Sequence, residues 1–234
     1  AAAAGHEAVV DCLLQNGAEV NRRDRDGFTA LAYAAAFGHE GIVRVLIAAG
    51  ADLDPVDHYG FRPVGVAALL GQAGAVRALA EAGANLTAAE GFVASFSPLH
   101  AAARYDHIDV VRALLAAGVD TEAKPCGETA LEMALNRGHV EIVSLLAGGG
   151  ARIDGEGWHR LTPLLRAVAK GGRAAMGALL AAGANPSQAV PGGRKKKSLW
   201  DRAPQPLPGG ATALHLAACR REPEFVADLL AAGA

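Results

Sequence analysis

Histidine and cysteine are the residue types in this chain that could bind a metal ion or supply a nucleophile. The sequence has eight histidines and three cysteines, Cys12, Cys126 and Cys219. No histidine pair has the spacing of a metal motif with a third donor nearby, and no glycine-rich phosphate loop precedes a Lys–Ser pair. The well-separated cysteines disfavour a disulfide framework or zinc site and favour a reducing, intracellular location, cytoplasmic or nuclear. We therefore predict no catalytic residue, no metal site and no cofactor.

Most of the histidines recur at fixed places in a repeating pattern. One place opens a helix and is shared by His6, His39, His107 and His139; another, inside a helix, is shared by His100 and His215. Recurrence at a repeat period indicates a structural role, with the rings bonding between loops or to the backbone. Cys126 is expected on an accessible loop tip, but no neighbouring base marks its thiol as a nucleophile.

The chain is organised by glycines that end stretches of small residues. They fall at intervals of 33, 33, 35, 32, 33 and 50 residues, at Gly17, Gly50, Gly83, Gly118, Gly150, Gly183 and Gly233. A period near 33 predicts stacked supersecondary units, none of which can bury its apolar face alone. In the second unit, Thr29 is a predicted N-cap and Gly38 a predicted helix end. A second helix follows, with an apolar stripe of Ile42, Val43, Leu46 and Ile47.

Four segments carry a family resemblance: SPLHAAA at 97–103, TALHLAA at 212–218, GHEGIVRVLIAAGADLD at 38–54 and GHVEIVSLLAGGGARID at 138–154. These segments resemble ankyrin repeats, and the likeness covers nearly the whole chain. It implies an all-α fold, a solenoid of stacked antiparallel helix pairs with β-turn or hairpin fingers. Fingers and first helices would form a concave face that usually binds a partner.

The resemblance also implies a single domain over 1–234. It would comprise a partial repeat at 1–23 and repeats at about 24–56, 57–89, 90–123, 124–156, 157–189 and 207–234. Several positions depart from the family pattern, and we expect weaker local stability there. These positions are Arg62 for Thr, Gly65 and Glu132 for His, and Asp106 and Arg221 for the Gly that ends a first helix.

Aromatic residues that the repeat does not require gather at finger tips and at the ends of first helices. They are Phe28, Phe37, Tyr59, Phe61, Phe96, Tyr105 and Trp158. Exposed aromatic side chains are enriched at protein interfaces, so we expect them to anchor a partner. In the alternative interpretation, Phe28, Phe61 and Phe96 pack between adjacent fingers and stiffen them.

A basic ladder recurs near the ends of successive first helices. Its members are Arg104, Arg137, Lys170 and Arg220, with His159 and Arg160 on a finger beside them. Cations about one repeat apart suit an acidic peptide. The alternative is a solvated rim whose cations interact with helix C-terminal dipoles.

The long last interval contains an insertion at about 190–206, rich in proline, glycine and cations. Between 187 and 210 the net charge is +4, and the residues singled out are Lys195, Lys196, Lys197, Ser198 and Trp200. Three interpretations stay open: a tolerated surface loop, a basic address such as a nuclear-import patch, or a tethered peptide that docks Trp200. Phosphorylation of Ser198 would reduce the positive charge.

The sequence as a whole predicts a non-catalytic scaffold or adaptor module that binds a protein or peptide, with an acidic peptide suited to the ladder. The alternatives are a positioning segment of a larger enzyme or ubiquitin-ligase adaptor, and a nucleic-acid or anionic-lipid binder. A net charge of −2 argues against nucleic acid, and the apolar stretches are too short and glycine-interrupted to span a membrane. The N-terminal AAAAGHE predicts the tail of a helix, hence a fragment of a longer chain. The oligomeric state stays open.

Overall fold

A computed structural model describes residues 1–89, 91, 96–155, 161–189 and 210–234. The regular elements of these residues are short α-helices in antiparallel pairs, as predicted. The described chain divides into two compact units, Ala1–Cys126 and Gly127–Ala234.

The N-terminal unit contains three complete helix pairs. After a 3₁₀ turn at Ala2–Ala4, its helices are α1 (Glu7–Gln15), α2 (Ala30–Ala36), α3 (Glu40–Ala48), α4 (Pro63–Leu69), α5 (Ala73–Glu81), α6 (Pro98–Tyr105) and α7 (Ile108–Ala116). The first helices α2, α4 and α6 pack side by side in that order, and so do the second helices α1, α3, α5 and α7. Each first helix also packs on the second helix that follows it.

The C-terminal unit is built in the same way. Its helices are α8 (Ala130–Arg137), α9 (Val140–Gly148), α10 (Pro163–Lys170), α11 (Arg173–Ala181), α12 (Ala213–Arg220) and α13 (Pro223–Ala231). Here α8, α10 and α12 are the first helices, packed in order, and α9 packs on α11. Arg173 on α11 forms ion pairs with Glu224 and Asp228 on α13, which join the last two repeats.

The helix signals predicted for the second repeat are confirmed. The Thr29 hydroxyl accepts a hydrogen bond from the Ala32 amide at 3.2 Å, and Gly38 has a φ of +75°. Ile42, Val43 and Leu46 are buried on α3, whereas Ile47 is half-buried. A short helix is stable here because its apolar face is covered by neighbouring repeats.

Small residues set the distance between neighbouring first helices. The alanine pairs at 34–35, 67–68 and 102–103 are fully buried where α2, α4 and α6 meet. Ala217 is buried in the same way, whereas its neighbour Ala218 on α12 is exposed. Larger side chains at the buried positions would force the helices apart.

Histidines at the start of second helices bond to the repeat before them, as their recurrence predicted. A ring nitrogen of His107, Nε2, lies 2.9 Å from the carbonyl oxygen of Leu69, and Nε2 of His39 lies 3.1 Å from that of Ala3. Gly71 has a φ of +77°, and a Cβ there would lie 2.8 Å from the His107 ring. Glycine is therefore required by both the backbone conformation and the close approach of the ring.

The departures from the repeat pattern keep the same backbone. Asp106 and Arg221 adopt the left-handed conformation, with φ values of +63° and +57°, at the ends of α6 and α12. Glu132 forms a capping box with Thr129, its carboxylate accepting from the Thr129 amide at 3.1 Å. Arg62 precedes α4 without capping it through its side chain. Weaker stability at these positions stays a prediction.

Candidate recognition surface

The end of every first helix presents one side chain at the same place in the repeat. This is the residue immediately before the left-handed residue that ends the helix. In the N-terminal unit the position holds Phe37, Leu70 and Tyr105, which we call the apolar row. In the C-terminal unit it holds Arg137, Lys170 and Arg220, which we call the basic row.

The apolar row is exposed to solvent. Phe37 is 56% exposed, Leu70 50% and Tyr105 51%, on first helices that pack side by side. The prediction that Phe37 and Tyr105 are exposed is confirmed. Leu70 was missed because only aromatic and basic residues were predicted to be functional at this position. Three large apolar side chains held in line on rigid helices can bury against a partner at little entropic cost.

The finger aromatics differ from that row. Tyr59 is 53% exposed, but Phe28, Phe61 and Phe96 are half-buried, so their prediction as exposed anchors needs correction. The Phe28 ring lies 6.1 Å from the Tyr59 ring of the next finger and 5.3 Å from the Tyr33 ring. These contacts fit the alternative interpretation, in which finger aromatics stiffen the fingers.

The fingers are held by aspartates that accept backbone hydrogen bonds. Oδ1 of Asp24 accepts from the Phe28 amide at 2.9 Å, and Oδ1 of Asp57 accepts from the Phe61 amide at the same distance. The Tyr33 hydroxyl donates to Asp24 at 2.7 Å, which lowers the pKa of Asp24 and raises that of Tyr33. Neighbouring fingers are joined by the His58 amide, which donates to the Asp26 carbonyl at 2.9 Å. The finger surface is therefore preorganised in this unit.

Arg104, the first member of the basic ladder, immediately precedes Tyr105 of the apolar row. Its guanidinium carbon is 5.2 Å from the centre of the Phe96 ring and 5.7 Å from that of Tyr105. Such cation–π contacts stabilise both partners of the pair. Arg104 therefore supports the apolar row, and the ladder as predicted divides into Arg104 and the basic row.

The basic row is exposed, and two of its members bond to the preceding first helix. The Lys170 ammonium donates to the carbonyl of Asn136 at 2.8 Å, and the Arg220 guanidinium donates to that of Ala169 at 2.8 Å. These are the cation-to-helix-end interactions of the alternative interpretation. Arg137 makes no hydrogen bond or ion pair with the residues that the structure describes.

A buried charged cluster lies beside the basic row and was missed from the sequence. Arg166 on α10 is 5% exposed, and its guanidinium is 3.5 Å from a carboxylate oxygen of Glu128 and 3.9 Å from one of Glu132. Asn136 donates to the same Glu128 carboxylate at 2.7 Å. The sequence does contain one indication of this cluster, because Glu128 occupies the position that holds Phe28, Phe61 and Phe96 in other repeats.

The two histidines inside first helices serve as local partners of their capping residues. Nδ1 of His100 is 2.7 Å from the Ser97 hydroxyl, and Nδ1 of His215 is 2.8 Å from the Thr212 hydroxyl. Among the described residues, no group of three or more His, Cys, Asp and Glu side chains could hold a metal ion. None of the helices there is long and apolar enough to cross a membrane.

Several predicted residues lie outside the described part of the chain. They are Trp158 with its neighbours His159 and Arg160, and the insertion residues Lys195, Lys196, Lys197, Ser198 and Trp200. The roles proposed for them stay predictions from the sequence.

Comparison with known proteins gives one consistent family. A protein-family model described as ankyrin repeats (3 copies) matches residues 1–90 and 99–190, and a family model described as ankyrin repeat matches 209–234. The crystal structure of the human ASB11 ankyrin repeat domain is similar, with a TM-score of 0.71 and 26% identity over 100% of this chain and 96% of that one. A rice protein (Oryza sativa subsp. japonica) described as probable E3 ubiquitin-protein ligase XBOS33 is 47% identical over 51 residues. That match spans 21% of this chain and 10% of the rice protein.

Proposed function

Because the chain belongs to the ankyrin repeat family, whose repeats are generally protein-interaction modules, we propose that it holds a protein or peptide partner on the concave face of its first helices and fingers. The module is non-catalytic in this proposal. It contributes a rigid surface, and the chemistry belongs to the proteins that it brings together.

The exposed apolar row carries the proposal. Phe37, Leu70 and Tyr105 repeat at one position on packed helices, although nothing in the helix core requires large apolar side chains there. Tyr59 adds an exposed ring on a finger. Aromatic and large aliphatic side chains on a preorganised surface are the usual anchors of a protein interface.

A second candidate is a positioning segment within a larger protein. The local likeness to the rice protein, a probable E3 ubiquitin-protein ligase, favours this candidate. Both candidates use the same partner-binding surface, and they differ in what the rest of the protein does. Ubiquitin transfer by a longer form that retains these repeats would support the second candidate.

The test selects binders from a peptide display library against the full chain and measures their affinities for variants of the apolar row. We expect F37S/Y105S to weaken the selected binders by about tenfold or more, since each anchor contributes about 1–3 kcal/mol. The control is L230S, because Leu230 is 55% exposed on the second helix α13. Equal affinity for F37S/Y105S and the parent, or an equal loss in L230S, would contradict the proposal.

A further inference from the structure

The C-terminal unit has a local excess of positive charge at the ends of α8 and α10. Partial burial lowers the pKa of the Lys170 ammonium, and the positive charges of Arg166 and Arg137 lower it further. Glu128 acts in the opposite direction but does not cancel these effects. An anion bound beside Lys170 would relieve this repulsion.

The hydrogen-bond donors of the basic row are not all used within the chain. A lysine ammonium has three donors, and Lys170 gives one to the carbonyl of Asn136. Arg137 is exposed, and its five donors bond to none of the described residues. Arg220 is occupied in comparison, since it bonds to Ala169 and to the Glu222 carboxylate at 2.9 Å. Arg220 is also ion-paired with Glu222, whereas Arg137 and Lys170 form no ion pair with a carboxylate among the described residues.

The spacing of these two cations limits what could bind both. They end neighbouring packed helices, and packed helix axes lie about 8–10 Å apart. A peptide in the polyproline II conformation advances about 9 Å in three residues and returns to the same face. Carboxylates three residues apart on such a peptide would match the two cations.

We propose that Arg137 and Lys170 bind an acidic peptide segment whose Asp or Glu side chains recur at every third residue. This inference rests on the proposed function and adds the chemistry of the partner. The carboxylates of the peptide accept charge-assisted hydrogen bonds from the Arg137 guanidinium and the Lys170 ammonium. Arg166 is a positioning residue, since its ion pairs with Glu132 on α8 and with Glu128 just before α8 hold α10 against them.

A nucleic acid fits this surface less well than a peptide. Binding to a phosphate backbone usually draws on several cations, whereas two members of the basic row lack an ion pair with a carboxylate among the described residues. The chain carries a net charge of −2, which repels a long polyanion. A short peptide with a few carboxylates needs only the local positive region.

The probe is a peptide of three Glu-Pro-Pro units, titrated into the nitrogen-15-labelled full chain. Its matched controls are the Gln-Pro-Pro peptide and an isomer with the three glutamates adjacent. We expect amide shifts at Arg137, Gly138, Lys170 and Gly171, and about tenfold weaker binding for the Gln-Pro-Pro peptide. Raising the salt concentration should weaken binding of the Glu-Pro-Pro peptide. Equal affinity for the Glu and Gln peptides overturns the proposal, and equal affinity for the clustered isomer overturns the three-residue spacing.

Variants separate this site from general charge effects. R137Q/K170Q should lose about tenfold in affinity for the Glu-Pro-Pro peptide, whereas R25Q/K124Q, with the same change in charge at exposed residues of the N-terminal unit, should keep the parent affinity. An equal loss in both variants overturns the proposal, as does stronger binding of a nine-nucleotide oligothymidylate than of the peptide. F37S/Y105S should bind the Glu-Pro-Pro peptide like the parent. The chain could bind display-selected peptides through the apolar row and yet fail to bind the Glu-Pro-Pro peptide. That result would overturn this inference and leave the proposed function unaffected.

Discussion

The guanidinium of Arg166 on α10 lies 3.5 Å from a carboxylate oxygen of Glu128, which immediately precedes Thr129, the N-cap of α8. Arg166 and Glu132 are almost fully buried, and Arg166 and Glu128 hold charges where other repeats hold apolar or aromatic groups. Buried charges are tolerated only while they are paired and hydrogen-bonded. The contact between these repeats therefore depends on all members of the cluster being present.

Removing one member of this cluster should destabilise the C-terminal unit. We expect R166M to lower the free energy of unfolding by about 3 kcal/mol, because Glu128 and Glu132 lose their buried counter-charge. R166M/E132Q should recover at least about 1 kcal/mol of that loss, since a neutral amide is cheaper to bury. Urea unfolding followed by circular dichroism, with hydrogen exchange of α8 and α10, measures both effects. Additive single-variant losses would contradict the coupling.

The left-handed conformation of Arg221 offers a stabilising substitution. Residues with a Cβ pay about 1 kcal/mol in this conformation, and Gly does not. We therefore expect R221G to raise the free energy of unfolding by about 1 kcal/mol, whereas R221A, which retains the Cβ, should give no comparable gain. Thermal unfolding of the three proteins checks this prediction. Equal stability of R221G and R221A would show that the backbone conformation carries no strain.

The last repeat should lose stability in acid through Asp228. The hydrogen bond from Arg173, at 2.6 Å, holds the pKa of Asp228 below its ordinary value of 3.8. A depressed carboxylate pKa stabilises the folded state above about 3.8, and this contribution disappears as the pH falls from there through the folded-state pKa. D228N should therefore be less stable than the parent at neutral pH, and the difference should shrink below about pH 4. D11N serves as the control, and a difference that is independent of pH would contradict the prediction.

The repeat architecture could be predicted from the sequence because its signals are local. Thr29 and Gly38, which lie within ten residues of each other, predict the start and the end of one helix. The repeat period then predicts where the next pair of helices lies. The structure confirms these signals with the bond from the Ala32 amide to Thr29 and the positive φ of Gly38.

The details of the candidate surface depend on residues about one repeat apart, which local patterns do not connect. Phe28 and Phe37 look alike in the sequence, but the next finger covers Phe28 and leaves Phe37 exposed. Glu128 and Arg166 are separated by a whole repeat, so their pairing becomes visible only when α8 and α10 are packed together. Comparing the repeats position by position would have singled out Glu128, and would also have added Leu70 to the apolar row.

This difference between Phe28 and Phe37 predicts a separation of stability from binding. F28A removes a half-buried ring that contacts Tyr33 and Tyr59, so it should lower the free energy of unfolding by about 1–3 kcal/mol. F37A removes an exposed ring, so it should leave stability within about 0.5 kcal/mol of the parent and weaken display-selected binders by about 1–3 kcal/mol. Urea unfolding and titration of one selected binder measure the two quantities. If F37A destabilised the chain as much as F28A, its binding loss would follow from damage to the fold, and the apolar row could no longer be assigned to partner recognition.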